Sequence, residues 1–178
     1  MRVPEVGSGN FDIAKGASNP TGSGATVTYS VGVEGGLPMP TAVVARIVDR
    51  VLADPRGWTA VDGRAVQRVD SGATIQVRLA TPETVDSLCA PLDTGGRLSC
   101  RVGESVVLNA WRWVHGADSY GDDLKAYRSY MVNHEFGHAL GYAHEDCGSP
   151  GELAPVVVQQ TKGLDGCRAN PWPAVTHA

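Results

Sequence analysis

The residues best suited to chemistry in this chain fall in one short run, His134-Glu135-Phe136-Gly137-His138-Ala139-Leu140-Gly141-Tyr142-Ala143-His144. Its pattern is H-E-x-x-H-x-x-G-x-x-H. Four residues span just over one helical turn, so on a helix His134 and His138 project from one face and can reach a single ion. Glu135 is rotated by about 100° around the axis from His134. It is too offset for a natural ligand but can reach a water on the metal. Gly141 stands where the chain must leave the helix sharply, and glycine takes left-handed backbone at little cost. The turn then carries His144 back to the same ion. Three neutral imidazoles leave a fourth position for water, the arrangement of a catalytic zinc site. The chemistry expected of such a site is hydrolysis. Zinc lowers the pKa of the water and polarises a carbonyl, while Glu135 takes a proton and later delivers one to the leaving amine. The short pattern arises by chance in under about 1% of chains this long, and adding Gly141 and His144 lowers that by a factor of order a thousand. A core helix with internally satisfied histidines is therefore the weaker reading.

Other candidates are less specific. Trp111 and Trp113 share one strand parity, so they could form a substrate wall or pack in the core. Tyr142 could contribute to the cleft rim or pack under the turn. Glu145 and Asp146 could orient His144 or simply be solvated. His115 reads as a surface-loop histidine that could also line the cleft, and His177 lies at the frayed end. No Ser/His/Asp nucleophile pattern or phosphate-binding glycine loop stands out.

The elements that must position these residues follow from hydrophobic period. Residues 1–24, rich in Gly, Ser, Asn and Pro, read as a flexible N-terminal arm, and residues 25–178 as a single zinc hydrolase domain. Val27, Tyr29, Val31 and Val33 alternate along a strand over 25–33. Thr41 could cap a helix to about Ala53, with Val44, Ile47, Val48, Val51 and Leu52 on one face. A short strand is predicted at Gln67–Val69 and a clearer one at Thr74–Leu79. Thr81 and Pro82 open a helix that ends near Cys89. Ser105–Trp111 reads as a strand next to the site, able to hold an extended peptide by edge pairing. A long helix over 122–140 carries Leu124, Tyr127, Met131, His134 and His138 on one face. Beyond Gly141 the chain reads as irregular, with a short helix near Gln159–Leu164.

The chain has 178 residues, 42% of them hydrophobic and 19% charged, a globular composition with room for one core. Its net charge of -4, from 15 basic and 19 acidic residues, and the lack of any basic run argue against nucleic acid or anionic membrane as partners. No stretch is apolar enough to span a bilayer. Met1-Arg2-Val3-Pro4 leads into polar sequence rather than a signal peptide, which reads as a chain whose export signal is absent, with Met1 added. Cys89, Cys100, Cys147 and Cys167 form no C-x-x-C pair and suit disulfides in an oxidising compartment. Three pairings are open; Cys89–Cys100 and Cys147–Cys167 each close a short loop and are favoured. The expectation is a secreted or cell-envelope monomer acting on a peptide or protein substrate.

Through His134 to His144 the sequence resembles the metzincin clan of zinc peptidases. It is more similar still to a bacterial family of secreted metzincin-like proteins classed as a domain of unknown function. The matching stretches are Val66–Gly72, Leu92–Gly96, Tyr130–Leu140, Gln159–Leu164 and Asn170–Pro173. The resemblance covers nearly the whole chain and implies a mixed α+β fold with the zinc helix under a twisted sheet. Metzincins place a Met in a tight turn beneath the metal, after the third His. Here no Met follows Met131, and Val157 stands at the matching place, an apolar floor of altered shape. No Tyr follows Tyr142, so the Tyr ligand of some metzincins is absent. Two other readings of the chain are a zinc-containing envelope module without turnover and a zinc amide hydrolase with a non-protein substrate.

Overall fold

β-Branched and aromatic residues in alternation make the first long strand of this computed structural model, which describes residues 1–176. That strand, β2 (Thr26–Glu34), follows a short edge strand β1 (Phe11–Ile13). The chain continues through α1 (Thr41–Leu52), α2 (Trp58–Val61), β3 (Ala65–Arg68), β4 (Ile75–Ala80) and α3 (Pro82–Cys89). It ends with β5 (Cys100–Val102), β6 (Ser105–Asn109), α4 (Ala110–His115) and α5 (Leu124–Leu140). The sheet is mixed, in the order β1-β2-β4-β6-β5. β2, β4 and β6 are parallel, while β1 and β5 run antiparallel at the two ends. β3 pairs in parallel with the first half of β2, on the side away from β4.

Period-2 alternation divides the sheet into two faces. Tyr29, Val31, Ile75, Val77, Val106 and Leu108 pack with Val44, Val48, Met131 and Phe136 in the main core. This face lies against α1 and α5. On the other face Ala80 and Val107 pack with Val85, Cys89 and Cys100 beneath α3. The result is one α+β domain with a mixed sheet between its helices. Cys89–Cys100 and Cys147–Cys167 are both bridged, and no free cysteine remains.

Several sequence expectations need correction. First, the segment expected to be a loose arm adds β1 to the sheet and buries Val3 and Ala14. Glu34, only 1% exposed, holds it there: its carboxylate accepts from Gly9 N at 2.8 Å, Thr81 N at 2.7 Å and the hydroxyls of Thr81 and Thr84. A buried carboxylate persists only with donors of this kind. Gly7 lies so close that a Cβ there would sit 2.2 Å from a Glu34 oxygen. Second, the strand beginning at Ser105 stops at Asn109. The Asn109 side chain accepts from Trp111 N at 2.9 Å and caps α4, so Trp111 and Trp113 are helical. Third, β6 is paired on both sides, and the free edge is β5. Fourth, residues 159–164 form turns rather than a helix. Thr41 is the first residue of α1 and Pro40 its cap, whereas Thr81 caps α3 but turns its hydroxyl to Glu34. His177 lies outside the described residues. Among those described, no helix is long and apolar enough to cross a membrane.

Candidate metal centre

The site is built on the last turns of α5, where the helix is buried nearly all round from Ser129 to Gly137. Gly137 explains how closely it is covered. A Cβ on Gly137 would lie 2.3 Å from Trp58 Cζ2, so the indole of α2 rests directly on the helix. Trp58 Nε1 donates to Asn133 O at 2.8 Å, and its ring lies 4.3 Å from that of Tyr142. Sequence reasoning missed Trp58. The available signal was Gly137 itself, because glycine inside a helix costs roughly 1 kcal/mol relative to alanine and calls for a packing reason.

Gly141 ends α5 in the left-handed region, with φ 107°. Gly141 N donates to His138 O at 3.2 Å, and Tyr142 N donates to Gly137 O at 3.0 Å, the paired bonds of a Schellman turn. Arg64 adds a donor to Leu140 O at 3.0 Å. The turn has a direct effect on the site, since the Tyr142 carbonyl accepts from His138 Nδ1 at 2.7 Å. His134 Nδ1 is held in the same way by Val156 O at 2.9 Å. A carbonyl only accepts, so the proton of each ring sits on Nδ1 and each Nε2 presents a bare lone pair. Those two Nε2 atoms lie 3.2 Å apart. Two lone pairs at that distance repel unless a cation lies between them. His144 completes the group, and the ligand atoms of His134, His138 and His144 all lie within 4.8 Å of one another. The three histidines could therefore hold one metal ion, and the tautomers of His134 and His138 fit it.

The electrostatics agree with this arrangement. Burial first, then His138 and His144, push the His134 pKa down to about 3 against the opposing effect of the Val156 carbonyl. Burial, then His138 and Lys162, also lower that of His144. Glu135 is buried beside the histidines, and desolvation raises its pKa to about 8. A nearby dication would oppose that shift, because an opposite charge favours the ionised form.

A cavity of about 610 Å³ opens above the three histidines. Glu135, Gly141 and Tyr142 line it, together with Leu98 to Arg101 before and on β5 and Gln159, Thr161 and Lys162 from the C-terminal turns. Trp111 is not brought to it. It stacks on His115 at 4.4 Å on the far end of α4. Trp113 is core, and His115 is exposed, with Nδ1 against Trp111 O. Glu145 and Asp146 line a separate hollow with Glu152 and Arg168. Val157 is fully buried in the main core, next in sequence to the Val156 carbonyl that fixes His134.

A family model described as "Protein of unknown function (DUF3152)" matches residues 1–172. The chain belongs to this family. No curated protein and no solved structure matches it.

Proposed function

We propose that this chain is a zinc-dependent hydrolase of the metzincin type that cleaves peptide bonds outside the cytoplasm. The observation that carries the reading is the approach of the His134 and His138 Nε2 atoms to 3.2 Å, with each Nδ1 set against a backbone carbonyl and His144 beside them. Three neutral imidazoles with an open side suit zinc better than oxygen-seeking ions. When bound, zinc would supply an activated water and polarise the scissile carbonyl.

The protein's own residues do the rest. The carbonyls of Val156 and Tyr142 fix both ring tautomers, so neither imidazole must shed a proton to bind. Glu135, next to His134 and desolvated, lines the cavity where it can accept a proton from the attacking water and return it to the leaving amine. An extended substrate would add to the free edge of β5, antiparallel β6 lying behind it. Both disulfides are compatible with an extracytoplasmic setting. Val157 would floor the site where metzincins carry methionine.

The test is a peptide-library digest read by mass spectrometry, with and without chelator, on the wild-type chain and Glu135→Gln. About one zinc per chain is expected in both proteins. Hydrolysis in the variant should fall by roughly 10²–10⁴-fold. Zinc without any turnover in the wild type would favour a binding module, and unchanged turnover in Glu135→Gln would defeat the mechanism.

A further inference from the structure

The walls of the cavity carry charges that the hydrolytic reading does not use. β5 is short, and its side chains alternate. Cys100 is in register with Val107 and points with it into the cluster beneath α3. Arg101 is in register with Val106, which packs on the opposite face, toward α5. Alternation therefore sends the Arg101 side chain to the cavity side of the sheet, and Arg101 lines the cavity. Lys162 lines it as well, from the turns that follow Val158.

Neither cation is committed to a carboxylate. Arg56, Arg64, Arg68 and Arg97 each pair with an Asp or Glu. Among the described residues Arg101 makes no such pair, and the Lys162 ammonium donates to the neutral Gln159 Oε1, at 3.3 Å. The acids lining the cavity are Asp93, exposed and accepting from Gly95 N, and Glu135, buried at the histidines. With a dication on the histidines this hollow is a positive spot on a chain whose net charge is -4. The two cations and two acids of the wall balance, so the positive field would come from the ion, and Arg101 and Lys162 would aim it at an anionic ligand.

We propose that the cavity selects substrates carrying a carboxylate beside the bond to be cleaved, with Arg101 and Lys162 as the residues that recognise it. Arg101 offers a planar fork that matches a carboxylate, and Lys162 a mobile point charge. The carboxylate could belong to an Asp or Glu side chain or to a free C-terminus close to the cleaved bond. The inference rests on the metal reading of the three histidines, but it is not the same claim.

Peptide hydroxamates separate the two claims, because the hydroxamate grips the metal whether or not the protein turns over. Three probes share one backbone: an Asp amide, an Asn amide and an Asn free acid. Their affinities are measured by calorimetry on the zinc-loaded chain, on Arg101→Gln, on Lys162→Gln and on the double variant, with zinc content determined for each. Either acid should bind about three- to tenfold more tightly than the Asn amide, the range expected for partly exposed ion pairs. Whichever acid shows the larger gain identifies the source of the carboxylate. That gain should shrink in each single variant, vanish in the double variant and weaken with salt, while zinc content stays near one. Equal binding of all three probes, or a preference that survives the double variant, would overturn the charge assignment and leave the metal reading intact. No hydroxamate binding and no zinc would overturn both.

Discussion

The facing nitrogens of His134 and His138 make protonation at this site a matter of stability as well as chemistry. In the zinc-free protein, His134 has a folded pKa of about 3 against an ordinary 6.5. Between those values the unfolded chain binds a proton that the folded chain refuses, so stability is lost as pH falls from 6.5 toward 3. Glu135 behaves in the opposite sense. Its folded pKa of about 8 lies above the ordinary 4.5, so the folded chain keeps a proton that the unfolded chain has released. That contribution is fully present below 4.5 and is lost as pH rises through 8. The two windows overlap between 4.5 and 6.5, where their slopes cancel. His144, also held below its ordinary value, adds a slope of the same sign as His134, so chelated protein should gain no stability as pH falls through that window. Above it, stability should fall by about 1.4 kcal/mol per pH unit for one proton. Denaturant melts across pH measure this, and Glu135→Gln should flatten the alkaline limb. An unchanged limb in that variant would place the titrating group elsewhere. At this scale the sequence was informative because the motif is local. His134, Glu135, His138, Gly141 and His144 sit within one helix and its turn. The carbonyls of Val156 and Tyr142 were invisible because backbone acceptors carry no residue signature.

At the scale of elements, α5 is held by what lies on it. Trp58 covers Gly137 and touches Tyr142, which in turn fixes His138. Gly137→Ala should force the indole away despite alanine's better helix propensity. The expected cost is about 1–3 kcal/mol, as for other overpacked sites, with weaker zinc retention. A thermal melt and a zinc titration check this; a stabilised variant would mean that Trp58 moves freely. Elements of strong period, such as β2, β4, α1 and α5, could be read from sequence within a residue or two. Those that escaped were short or set by distant partners. β1 has only three residues and depends on β2, and its approach is secured by Glu34, 25 residues from the Gly9 amide that it accepts. α4 was read as strand because Trp111 and Trp113 continue the alternation of β6, while one Asn109 side chain ends it. A cap is a local event, but it outweighs a periodic pattern only when its bond is made.

Across the whole molecule, charge and covalent links show a division of labour. Carboxylates outnumber cations overall, yet those in contact with the cavity are matched by Arg101 and Lys162. The Cys89–Cys100 bridge ties α3 to the free edge strand that forms one wall. Fold class was legible from the order of strands and helices. The strand order was not, since which of β5 and β6 is the edge depends on pairings between segments distant in sequence.

The second bridge bears on how long an ion would stay. Cys147 lies three residues after His144, and its partner Cys167 packs with Ala154 and Val158, on either side of the Val156 carbonyl that orients His134. Were a bound zinc ion to detach from His144, this leash would keep the imidazole near the other two rings at an effective concentration of about millimolar or higher. Recapture would then compete with escape, and the bridge would act as a kinetic latch without touching the ion. In the Cys147→Ser/Cys167→Ser double variant the three histidine rings are unchanged but the leash is longer. Zinc transfer to a chelator, followed by stopped flow, should be several-fold faster there, in keeping with the fall of effective concentration as a tether lengthens. An equal rate would show that the turn at Gly141 alone sets how long the ion resides.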